Sequence, residues 1–158
     1  MILKGGSIRA FFENPILLSC ISSWFLAQLI KAIIFQLRKK NKGRRALLIT
    51  VAWTTGGMPS SHAALVSAMA TSVAFKEGIN SSLFIVTIFV ALIFMRDAMG
   101  VRRSSGLQAA SLNILFRYLS DKLGYEYPPV KEVHGHAPLE VLVGALLGVI
   151  IAAAYASL

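Results

Sequence analysis

Long apolar runs alternate with short basic or glycine-bearing segments along the chain. Residues 15–37 are apolar over a length that crosses a bilayer, and the run is too long for the core of a cleaved signal. Pro15 suits a first helical position and Asn14 its cap, so this run predicts transmembrane helix one, with Lys31 in its last two turns. A basic run follows: Arg38, Lys39, Lys40, Lys42, Arg44 and Arg45. Residues 46–53 are apolar but too short to span, and fit a re-entrant, interfacial or bundle-packed segment. Gly56-Gly57 then breaks the chain. Residues 59–75 predict helix two, short for a span, and residues 77–80 a turn. Residues 81–95 predict helix three, running on into Arg96-Asp97. Residues 104–119 read as an amphipathic helix lying at the interface, with Leu107, Leu112, Leu115 and Phe116 on its apolar face. A loop over 123–135 holds Pro128-Pro129, and residues 137–158 predict helix four with Pro138 in its first turn. The pattern predicts an all-α integral membrane bundle of about four transmembrane helices plus an amphipathic interfacial helix. One membrane-embedded domain covers residues 1–158.

Composition narrows the class. Of 158 residues, 56% are hydrophobic and 15% charged, with a mean hydropathy of +0.67. That balance excludes disorder, a coiled coil and an ordinary cytosolic domain. The single Cys20 excludes an intramolecular disulfide and any CxxC site. The net charge of +9 would suggest nucleic acid in a soluble protein. Here the chain is too apolar, and its aromatics do not interleave with basic residues as a stacking platform requires. Cytoplasmic loop charge, or an anionic membrane-borne ligand, accounts for the excess better. The basic run after helix one and Arg96, Arg102, Arg103, Arg117, Lys122 and Lys131 fall on one side of a four-span topology. Lys4, Arg9 and Lys76 fall on the other, so the positive-inside rule puts the basic loops in the cytoplasm and both termini outside.

Four constellations carry candidate chemistry. Gly56-Gly57-Met58-Pro59-Ser60-Ser61-His62 places glycines and a helix start together, where free N–H groups bind anions. A His in that first turn can protonate a leaving oxygen; equally, it can face the interface above a plain helix cap. His136 and Glu140 share a helix face, and a carboxylate orients and charges an imidazole. The alternative is an interfacial His with a dipole-compensating Glu, although a carboxylate on an otherwise uncharged membrane helix is usually functional. Lys31 and Arg38 fit snorkelling and a basic stop as well as phosphate binding. Arg96-Asp97 followed by Arg102-Arg103 fits an ion pair and anchor, or guanidinium recognition of phosphate, with Gln108 and Asn113 as weaker additions. Asp97, His134, His136 and Glu140 are residues of metal-ligand type, but no HExxH-like helix pair is present, and no metal is expected.

These residues resemble the type 2 phosphatidic-acid phosphatase and vanadium haloperoxidase superfamily. Its motifs are Lys-x6-Arg-Pro, Pro-Ser-Gly-His and Ser-Arg-x5-His-x3-Asp. Lys31 and Arg38 have the first spacing with Lys39 in place of Pro, residues 59–62 read Pro-Ser-Ser-His, and His136-x3-Glu140 stands for His-x3-Asp. A divergent branch is closer still, with GGMPSSH at 56–62, RDAMGVRR followed by Gln and Leu-Asn at 96–113, and GHxPLEV with a glycine at 135–144. The Ser-Arg of the third motif is missing: Val130 occupies the Arg position, and Lys131, Arg102 and Arg103 are the candidate replacements.

The resemblance implies a membrane phosphatase acting on a lipid phosphate or diphosphate. His136 would be the nucleophile that forms a phosphohistidine, Glu140 its orienting carboxylate and His62 the general acid. Lys31, Arg38, Ser60, Ser61 and the cations Arg102, Arg103 and Lys131 would hold the phosphate, with no cofactor required. The alternative of another class is a non-catalytic membrane protein that binds or transports a lipid phosphate or anion. A bacterial plasma membrane or a plastid membrane fits, with the site on the cytoplasmic or stromal face. A small bundle of this kind has room to form a homo-oligomer.

Overall fold

The computed structural model describes residues 8–38, 57–133 and 135–157, with Arg38 as backbone only. The basic residues after Arg38, the short apolar stretch 46–53, Gly56 and His134 lie outside the described residues, as does the Arg38 side chain. Six helices follow in order: α1 (Ile8–Phe12), α2 (Pro15–Arg38), α3 (Ser61–Glu77), α4 (Ser82–Met99), α5 (Val101–Leu123) and α6 (Pro138–Ala156). No strand occurs among the described residues. The short α1 breaks at Asn14, whose Oδ1 accepts from the Ile16 N–H at 3.0 Å and caps α2 as its sequence suggests. Ser60 caps α3 by accepting from the Ala63 N–H, and Ser81 caps α4 by accepting from the Phe84 N–H. Gly100 joins α4 to α5, which begins earlier and ends later than its amphipathic pattern marks.

Lipid-type packing is visible in what is buried. Every buried hydrophobic side chain among the described residues is alanine or valine. The large ones, including Phe25, Ile33, Phe89, Ile93, Leu142 and Ile150, face outward. A water-soluble fold does the reverse. In hydrocarbon no hydrophobic force drives helices together, so small residues that permit close backbone contact fill the interior. Three stretches are long and apolar enough to cross a membrane: Pro15–Leu37, Ser82–Leu123 (α4 running into α5) and Pro138–Ala156. The protein is a helical integral membrane bundle.

At its centre is α3, the expected short helix two, with 17 residues and about 25 Å of rise. Ala63, Ala64, Ser67, Ala68, Ala70 and Ser72 are all buried against α2, α4 and α6. Its neighbours α2 and α4 run antiparallel to it. Ser19 on α2 meets Ser72 through a 2.6 Å hydroxyl contact, and the stem of Lys31 lies beside Gly57 at the other end. On α4, Ala98 packs with Ala63, and Ala91 packs with Val66 and Ala70. Helix α6 runs parallel to α3. A Cβ added at Gly144 would collide with the Ser60 carbonyl, and one at Gly148 with the Ala64 carbonyl. Replacing Gly148 with Val should therefore part α3 from α6 and lower thermal stability in detergent by at least about 1–3 kcal/mol. Leu146→Val, on the outward face, should stay within about 0.5 kcal/mol of wild type. Differential scanning fluorimetry of the purified variants checks both.

Candidate functional site

The antiparallel and parallel pairings bring four helix ends to one end of the bundle. These are the C-terminal ends of α2 and α4 and the N-terminal ends of α3 and α6. Two backbone bonds tie the sequence motifs together there. The Ser60 N–H donates to the Glu140 carbonyl at 2.9 Å, and the His136 N–H donates to the Ala98 carbonyl at 3.0 Å. Gly135 lies against the Arg103 backbone and Gly106 against the Val133 carbonyl, so close that a Cβ at either would clash. Asn113 clamps the preceding loop, donating to the Val130 carbonyl and accepting from the Val130 N–H. Its amide also donates to Glu132, so this residue positions the segment that carries His136.

Five of the expected site residues come together electrostatically. The charges of Lys31, Glu140, His62 and Arg102 act on His136, those of Arg102 and Lys31 act on His62, and that of Glu140 acts on Lys31. His136 is 2% exposed, and neither ring nitrogen has a hydrogen-bond partner among the described residues. Lys31 is 5% exposed, beneath Gly57, where a φ of +85° favours glycine. His62 is exposed on the first turn of α3. Of the three candidate cations for the missing arginine, Arg102 is the one whose charge reaches both imidazoles. It also pairs with Asp97 at 3.3 Å in a partly exposed contact of little strength. Arg103 and Lys131 are exposed, and neither is among the charges acting on the two histidines.

Two expected roles take a different form. Glu140 makes no hydrogen bond to His136; its Oε2 accepts from the Ala137 N–H at 3.1 Å and so closes the first turn of α6. The backbone N–H and hydroxyl of Ser60 are both engaged in structure, as donor to Glu140 and as the α3 cap. The N–H groups of Ser61 and His62, at the start of α3, have no partner among the described residues. Gln108 donates to Ser104 on its own helix. Among the described residues no three His, Cys, Asp or Glu side chains gather as a metal site would require. Sequence reasoning passed over Gln28, which is 6% exposed with an unpartnered Oε1, and the second helix N-terminus supplied by the parallel α6. Nothing in the sequence signals either, because both follow from helix pairing.

Two helix N-termini, a buried ammonium, a guanidinium and two imidazoles converge at one end of the bundle, an arrangement suited to a phosphate-like anion. Residues 12–151 match the Divergent PAP2 family, a range that includes every one of these groups. The chain belongs to that family. A relative from Bacillus subtilis (strain 168), "Uncharacterized membrane protein YuiD", is 38% identical over 147 residues, 85% of this chain and 89% of its own. No solved structure matches the chain.

The site has a pH signature. Burial, and then the Lys31 charge, push the His136 imidazole below its ordinary 6.5, and Glu140 opposes them. The unfolded chain then binds the proton more readily than the folded one. Stability from this group is complete above about pH 6.5 and is lost as pH falls through the folded value. Thermal melts in detergent from about pH 8 to about pH 5 should decline on the acid side, and His136→Gln should flatten that decline. An acid limb unchanged by the substitution would refute this account of the imidazole.

Proposed function

We propose that this protein is a membrane phosphatase that hydrolyses a lipid phosphate or diphosphate through a phosphohistidine at His136. The observation that carries the reading is the convergence of His136, His62, Lys31 and Arg102 at the end of the bundle where two helices begin. Family membership supports it. A neutral imidazole with a free nitrogen is the form that attacks phosphorus.

In the first step His136 forms the P–N bond, and the ester P–O bond breaks. The departing alkoxide takes a proton from His62. In the second step water, activated by His62, attacks the phosphohistidine and releases inorganic phosphate with the imidazole restored. Lys31, Arg102 and the Ser61 and His62 N–H groups hold the equatorial oxygens, where positioning and charge stabilisation supply most of the rate. The Glu140 charge favours the imidazolium that forms as His136 is phosphorylated. Arg38, at the end of α2, remains a candidate on its spacing from Lys31. The basic loops argue for a cytoplasmic or stromal site.

A second reading, lipid phosphate or anion binding without turnover, is favoured by one observation. Glu140 turns to its own helix rather than to the His136 ring. Phosphate release by purified protein over a panel of lipid phosphates separates the two. Wild type should release phosphate, His136→Ala should not, and His62→Ala should slow release about 10²–10⁴-fold. Release should continue in the presence of chelator. Saturable binding with no release in wild type favours the second reading, and full activity in His136→Ala overturns the first.

A further inference from the structure

Gln28 stands out as a buried group that the proposed mechanism does not use. It is 6% exposed on α2, and its Oε1 has no partner among the described residues. A buried amide oxygen left unbonded is costly, and in a membrane bundle a polar side chain of this kind marks a binding path. Its place is fixed by its neighbours on the same helix. Ser23 lies against α3 at the Ala64 carbonyl, and Lys31 lies against Gly57. Gln28 falls between them on α2, and the antiparallel run of α3 between 64 and 57 holds Ser60, Ser61 and the open N–H groups. Gln28 and Lys31 are three residues apart and so share a helix face.

We infer that Gln28 forms the floor of the phosphate site, its Oε1 accepting a hydrogen bond from a protonated phosphate oxygen. This rests on the phosphate-site reading above and specifies the group that the site selects. The other parts of the site are all donors or cations: Lys31, Arg102 and the helix N–H groups. Those bind any tetrahedral oxyanion. An acceptor buried among them is useful only to an anion that carries a proton. A phosphomonoester or inorganic phosphate, with a second pKa near 6, carries one over much of the range around neutrality. Sulfate does not, and neither does a phosphodiester. Against those two the Oε1 lone pair would face an anionic oxygen with no hydrogen between them, which repels. Gln28 thereby makes this a site for monoesterified or free phosphate, set against sulfate and against the diester phospholipids that surround it.

The test compares three anions at one fixed pH near 6, so that histidine protonation is common to all of them. Binding of inorganic phosphate, of a dioctanoyl phosphatidate and of sulfate is measured by calorimetry on the full chain in detergent. Wild type should prefer phosphate to sulfate by at least about ten-fold. Gln28→Met, close in shape and without an acceptor, should reduce that ratio to near one. Gln28→Glu, which keeps an acceptor, should retain the preference while weakening both anions. A preference lost with phosphatidate as well as with inorganic phosphate assigns the lipid headgroup as a ligand of this acceptor. A preference lost with inorganic phosphate alone assigns free phosphate.

A wild type that does not discriminate overturns the proposal without any variant. So does a ratio preserved in Gln28→Met, and in both cases the phosphate site itself stands. A wild type that binds none of the three anions overturns the phosphate-site reading together with this one. A merely structural role for Gln28 would lower the affinity for both anions and leave their ratio unchanged.

Discussion

The parallel contact between α3 and α6 is the constraint on which the rest of this structure depends. Lipid offers no hydrophobic drive to hold two helices together, so their contact rests on close approach and on polar bonds. Gly144 and Gly148 let the backbones meet at the Ser60 and Ala64 carbonyls, and the Ser60 N–H bond to Glu140 fixes the register. Because the helices run parallel, both begin at the same end. Their unsatisfied N–H groups and dipole ends add rather than cancel. The positive potential of that end is thus a consequence of topology before any side chain is counted. Hydroxyl contacts between Ser19 and Ser72 and between Ser22 and Tyr155 hold the far end.

The charged side chains then sit where that field already exists. Lys31, Arg102 and two helix ends together outweigh the carboxylates of Glu140 and Asp97, so among the described residues the site carries a surplus of positive potential before any ligand arrives. Burying an ammonium to 5% exposure at the edge of a bilayer is expensive unless an anion completes the set. The Asp97–Arg102 pair does not neutralise the site, because it is partly exposed and weak. On the phosphatase reading proposed above, a preorganised excess of this sign lowers the barrier to phosphoryl transfer without rearrangement at the moment of reaction.

Much of this was legible in the sequence, and the limits have physical causes. Helix α2 was bounded almost to the residue, since Asn14 and Pro15 are local signals whose effect does not depend on partners. The three histidine- and arginine-bearing motifs were legible because their residue types are rare on apolar helices. Ser60 was expected to bind phosphate, but its N–H is taken by Glu140 from another helix, and no local pattern records that bond. The choice of Arg102 over Arg103 and Lys131 depends on how α5 leaves Gly100. Gln28 is one polar residue in an apolar run, and only its burial and its unpartnered Oε1 single it out.

Glu140 joins these levels. A glutamate at the third position of a helix has the reach to return to the backbone N–H that precedes the helix, and here it does so at Ala137. The aspartate of the parent motif is one methylene shorter, so the substitution changes which bond the carboxylate can make. With Glu140 turned to its own helix, the ring of His136 is oriented by other means. Its backbone N–H is bonded to Ala98, its preceding glycine is pressed against α5, and its side chain is enclosed. Neither ring nitrogen has a hydrogen-bond partner among the described residues, while the carboxylate charge remains near enough to favour an imidazolium. In this chain the backbone positions His136 while the Glu140 charge acts on it from the first turn of α6, so placing the ring and biasing its charge fall to two parts of the protein.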